Sequence, residues 1–140
     1  MTRRILLHLS VLLLAACDDD PPSLVGDWVL TGVDNEPLPT VVYEQDDDTV
    51  VMISDRLQLL DGDVYERTTL RYVVIDGVGD SVTASTEGEW GYDGTNRIWL
   101  VLGPGDHGPV LDHLYVLHGE MRNHTPEGVL QYRREGDSDD

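Results

Sequence analysis

The sequence has no lysine and no phenylalanine, a single cysteine, and 27 acidic residues against nine basic ones in 140 positions. A formal charge of −18 repels phosphate backbones and anionic lipid headgroups, which argues against nucleic-acid binding and against a polybasic membrane contact. One cysteine cannot form a disulfide within the chain, so the fold has to stand on packing and hydrogen bonds. The apolar run from Ile5 to Leu14 is too short to span a bilayer as a helix. No nucleophile elbow, metalloprotease helix, phosphate-cradling glycine loop or catalytic Cys–His arrangement occurs, so neither an enzyme nor a cofactor is expected. Acids are so common that no pair of carboxylates stands out. The bland account of that charge is solubility. The arginine-only basic set looks like a GC-rich coding bias.

What is present begins at the chain start. Arg3 and Arg4, the apolar run, and the small residues Ala15-Ala16 make a signal-peptide pattern. Leu14-Ala15-Ala16-Cys17 resembles the lipobox of bacterial lipoproteins, which implies cleavage after residue 16 and acylation of Cys17. A multiply acylated cysteine anchors a soluble body stably, each buried CH₂ contributing about 0.8 kcal/mol. The resemblance therefore implies a membrane-anchored lipoprotein of the bacterial cell envelope, facing the periplasm or the surface. Asp18 to Asp20 next to the cysteine resemble an inner-membrane retention signal, and acidic residues there also mark surface export, so either membrane stays open. Without residues 1–16 the chain keeps seven basic and 27 acidic residues, a formal charge of −20.

Residues 17–23, with Pro21-Pro22, read as the lipidated cysteine and an extended tether. Residues 24–134 read as one all-β domain, and 135–140 as an acidic tail. Strands are expected at 25–33, 50–60, 64–75, 81–92, 96–102, 111–117, 120–124 and 129–134, with loops at 41–48 and 103–109. Asp61-Gly62, Asp76-Gly77, Asp93-Gly94 and His118-Gly119 are turn signals, since glycine accepts positive φ without cost. Eight consecutive short-connected strands predict an up-and-down antiparallel barrel, because closure removes the exposed edges of a flat meander. A two-sheet sandwich is the alternative.

Gly26-x-Trp28 with Leu30, Asn35-Glu36-Pro37-Leu38-Pro39, Gly88-Glu89-Trp90, and the closing Leu130-Gln131-Tyr132-Arg133-Arg134 resemble small bacterial lipocalin-like and META-type envelope domains. The resemblance implies that Trp28 closes one end of the barrel against Arg133 or Arg134. The chain lacks the Thr-Asp-Tyr motif of true lipocalins and a helix after the last strand. Eight strands can fill their interior with side chains or hold a small ligand. The expected inward set, and candidate ligand lining, is Leu30, Leu70, Tyr72, Ile98, Leu100, Leu114, Val116 and Leu130, a set equally explained as plain core.

If His118-Gly119 turns the chain, partners across that hairpin sum to 237, which sets His113 opposite His124 on the outward face. Two imidazoles are a weak metal pair, because spacing supplies no further ligand. Asp46 to Asp48 and Asp61-Gly62-Asp63 lack calcium-loop spacing and read as solvated turns. Two non-enzymatic functions follow for an envelope lipoprotein. Either the barrel binds a small apolar or amphipathic ligand, or it is filled and serves as a protein-interaction or stress-protective module.

Overall fold

The computed structural model describes residues 24–136; Cys17, the signal segment 1–16, the remaining tether to 23 and the tail beyond 136 lie outside the described residues. Ten strands follow one another: β1 (Gly26–Val33), β2 (Glu36–Pro37), β3 (Thr40–Gln45), β4 (Asp48–Leu60), β5 (Val64–Ile75), β6 (Val78–Tyr92), β7 (Arg97–Gly105), β8 (Gly108–Leu117), β9 (Glu120–Thr125) and β10 (Gly128–Arg134). The hydrogen-bonded order is β2-β1-β10-β9-β8-β7-β6-β5-β4-β3, and β1 also pairs with β4. That last pairing closes eight of the strands into an antiparallel up-and-down barrel of the lipocalin-like kind, with β2 and β3 outside the ring.

Hairpin chemistry sets the registers. Asp76-Gly77 and His118-Gly119 both have positive φ at each turn residue, the backbone that matches the twist of flanking strands. The second turn gives Val116↔Met121, Tyr115↔Arg122 and Leu114↔Asn123, the predicted register. Between β6 and β7 the connection is longer than a two-residue turn. The Asp93 carboxylate there accepts backbone N–H bonds from Thr95, Asn96 and Arg97 at 2.8–3.0 Å.

Two stretches expected as loops are strands. Residues 41–48 supply β3, because Val41 and Tyr43 pair with Val51 and Val50; the acidic residues that suggested a loop occupy only the turn and its flanks. Residues 103–109 continue the β7–β8 hairpin, with Pro104 opposite Pro109. Proline is tolerated there because β6 leaves β7 at Leu100 and β9 leaves β8 at Leu114, so both outer edges of the hairpin are unpaired and a missing N–H costs no ladder bond. Past β10, Glu135 donates its N–H to the Asp27 carbonyl and its carboxylate pairs with Arg56.

The core is one cluster that begins at the end of the barrel where the chain enters and extends past a charged layer to Val33 and Met52. Trp28, Leu57, Leu59, Tyr65, Ile98, Leu100, Leu114 and Met121 are buried at that end, with Leu30, Leu130 and Tyr132 above them. Burying each such side chain contributes about 1.5–3 kcal/mol. Two of the seams around the barrel are short. β1 and β4 share four residue pairs and β6 and β7 share three, and beyond those pairs the strands diverge.

Strand β5 faces the other way from expectation. Tyr65, Arg67 and Thr69 pair with Leu59, Leu57 and Asp55, the buried residues of β4, so this parity points inward. Leu70 pairs with exposed Ser54 and Thr83, and Tyr72 is 41 % exposed. Both leave the interior set for the outer face. The sequence of β5 carries apolar residues on both parities, so alternation alone could not choose between them.

Candidate functional site

Within the core lies a layer of charged and polar side chains inside the barrel, with buried Leu57 and Leu59 on one side of it and Met52, Val33 and Leu130 on the other. Asp55 on β4 and Asn123 on β9 are 1 % and 0 % exposed. Arg67 on β5 forks onto Asp55 through Nε and Nη2, at 3.0 and 2.7 Å to one carboxylate oxygen. The Tyr132 hydroxyl on β10 donates to Asp55 at 3.1 Å and accepts from Arg67 at 3.1 Å. Asp112 on β8 stands 3.9 Å from the Arg67 guanidinium and accepts from the Asn123 amide at 2.9 Å. One layer thus ties β4, β5, β8, β9 and β10 across the barrel.

Burial works against the charge of Arg67, but the surrounding Tyr132, Asp55 and Asp112 outweigh it and raise its pKa. Burial raises the pKa of Tyr132 and the Asp55 charge adds to it, so its phenol stays protonated at neutral pH. A permanently charged guanidinium and a protonated phenol leave the layer without a side chain poised to take up a proton at Arg67 or Tyr132. Its contacts compensate the Arg67 charge and cross-link strands. Two polar atoms there and at the rim lack a hydrogen-bond partner, Asn123 Oδ1 and Arg71 Nε. Arg71 pairs through Nη2 with Glu127 at 3.1 Å, and with Arg67, Thr125, Pro126 and Leu130 these residues line a rim cleft of about 250 Å³.

At the other end, the Arg134 guanidinium lies 5.0 Å from the Trp28 ring centroid, and Trp28 Nε1 donates to the Leu24 carbonyl at 3.0 Å. Arg133 is exposed, opposite Val29 and Glu120. Of the expected lining, Leu30, Ile98, Leu100, Leu114 and Leu130 are 0–3 % exposed in one cluster with Trp28, and Val116 packs against it partly buried. His113 and His124 are both exposed. The β8–β9 ladder stops one step short of them, at Leu114↔Asn123, and His124 meets Tyr115 edge-on with ring centroids 6.3 Å apart. Among the described residues no group of three or more His, Cys, Asp or Glu side chains is placed to hold a metal ion.

The sequence reading passed over Arg67, Asp55, Asp112 and Asn123. One signal for them exists: Asp55 alternates with Leu57 and Leu59, so an inward β4 face carries a carboxylate that needs an inward cation. The seam between β6 and β7 depends on a second overlooked group. Tyr65 reaches over Gly88 to donate to the Val101 carbonyl at 2.9 Å. A Cβ on Gly88 would fall 2.7 Å from that carbonyl oxygen and 2.9 Å from the Tyr65 ring.

Comparison of the chain with protein-family models, with curated proteins and with solved structures gives no match.

Proposed function

We propose that the protein is a non-enzymatic, lipid-anchored component of the bacterial envelope whose filled barrel serves as a protein-interaction module. The observation that carries this reading is the charged layer of Arg67, Asp55 and Tyr132 lying across the barrel within the apolar core. Arg67, Asp55 and Tyr132 occupy part of the interior and support this reading. An apolar ligand would have to displace a paired guanidinium and carboxylate from each other, which is costly in a low-dielectric interior. The expected apolar lining also divides, since Leu70 and Tyr72 sit on the outer face. The anchor belongs to the same proposal and rests on the lipobox-like Leu14-Ala15-Ala16-Cys17.

Native mass spectrometry of the full chain, purified in mild detergent from its own envelope, tests the module. A co-purifying protein is expected, and a stoichiometric small apolar molecule with no protein overturns the reading. The anchor is tested by Cys17→Ser, which should move the protein out of the membrane fraction with its folded circular-dichroism spectrum unchanged.

A further inference from the structure

Among the described residues, one edge of strand β6 has no strand paired to it over most of its length. From Val78 to Glu89 it pairs with β5, and β7 joins it only at Trp90, Gly91 and Tyr92. Trp90 donates its N–H to the Asp63 carbonyl at 2.9 Å, and the β5–β6 ladder has no register shift. In an antiparallel ladder both backbone groups of a residue point the same way and alternate along the strand. Even-numbered residues of β6 therefore bond to β5. Gly79, Ser81, Thr83, Ser85 and Glu87 aim their N–H and carbonyl groups at the open side, where the Ser81 N–H is already held by the Asp80 carboxylate at 2.8 Å.

Every residue from Val78 to Glu87 is exposed. The stretch has no proline and no lysine, which commonly blunt such edges, and Ser81 to Thr86 is an uncharged run with β-forming Val82, Thr83 and Thr86. Beside it two carboxylates face each other across the ladder. Glu66 and Glu87 are direct cross-strand partners, and like charges so placed destabilise a sheet. Among the described residues neither takes part in an ion pair. They line a cleft of about 320 Å³ together with Arg67, Thr68, Ser85 and Thr86.

We propose that the free edge of β6, from Gly79 to Glu87, takes up an extended basic segment of a partner protein by strand addition, with an arginine or lysine of that segment seated between Glu66 and Glu87. Main-chain hydrogen bonds supply affinity and the alternate side chain supplies selectivity. A second copy of this chain is a poorer occupant, because its own β6 brings Asp80, Glu87 and Glu89 and no basic residue. The proposal rests on the reading of the protein as an interaction module and gives that module its surface.

The test measures binding of two short peptides, one alternating valine and arginine and one alternating valine and glutamate, to the full chain in neutral detergent. The basic peptide should bind at low salt and weaken as salt screens the pair, and the acidic one should not bind. Thr83→Pro removes an N–H that points away from β5, so the ladder survives and docking should weaken about tenfold or more. The double variant Glu66→Gln, Glu87→Gln should melt at or above the parent temperature, weaken docking about fivefold and flatten its salt dependence. It carries the test if the proline variant does not fold. Unchanged binding to folded Thr83→Pro, unchanged binding to the double variant, or equal binding of both peptides overturns the proposal. So does a sedimentation dimer that Thr83→Pro dissociates, which names a second copy instead. If a native partner co-purifies with Thr83→Pro as well as with the parent, the edge is wrong and the interaction reading stands. Loss of any co-purifying protein from the parent itself removes both.

Discussion

Arg67 is 18 % exposed at its side chain and faces an Asp55 carboxylate that is fully enclosed. Such a pair is worth little against a well-packed apolar substitute, but breaking it strands a charge. Arg67→Met alone should therefore cost about 3–5 kcal/mol of unfolding free energy. Arg67→Met combined with Asp55→Leu should recover most of that, or exceed the parent, in urea titration. A double variant as unstable as the sum of its parts would show that the layer does not act through the pair. Asp55 was legible from its alternation with Leu57 and Leu59. Arg67 was not, since its neighbours Leu70 and Tyr72 made a persuasive inward set on the wrong parity.

Among the elements, β7 bends away from β6 where Tyr65 bonds the Val101 carbonyl. Gly88 is needed there for space, not for an unusual φ. Gly88→Ala should push the carbonyl and the ring apart and cost about 1–3 kcal/mol by overpacking. Tyr65→Phe keeps the packing and should lose only about 1 kcal/mol. Hydrogen exchange at Trp99 and Gly91 should accelerate far more in the alanine variant, and equal acceleration would put the seam's integrity elsewhere. The hairpins themselves were readable from two-residue turn chemistry, as the His118-Gly119 register shows. The extended β7–β8 hairpin was not, because proline in a strand is acceptable only at an unpaired edge, and which edges are unpaired is a property of the closed sheet.

For the whole molecule, acid stability follows from three carboxyls held below their ordinary range. Asp27 is held down by hydrogen bonds from Gln58 and then Arg56, and Asp93 by the backbone N–H groups of Thr95, Arg97 and Asn96. For Glu120, burial pushes upward but the bonds from Arg122 and Gln131 prevail. Their unfolded pKa values lie at about 4. A depressed folded pKa stabilises in full above the unfolded value and is lost as pH falls through the folded one. Meanwhile the formal charge of −18 at pH 7 destabilises by self-repulsion that eases on acidification. Thermal stability should accordingly rise modestly from pH 7 to about 5 and collapse below about 4. A melting temperature that keeps rising to pH 3 would contradict the three assignments.

The eight strands of the ring, their up-and-down order and most turns were legible in the sequence alone, because alternation and glycine-containing turns act within a few residues; β2 and β3 were not. The anchor expectation on Cys17, which is a local motif, was legible as well. Which face of β5 points inward was decided only by the tertiary structure, through its pairing with Leu57 and Leu59 of β4. So were the pairing of Arg67 with Asp55 inside the barrel and the edge of β6 that no other described strand joins from Val78 to Glu89. These depend on where the ring closes, and closure is set by contacts between residues far apart in the chain, such as Trp28 with Leu57 and with Arg134, that no local pattern specifies.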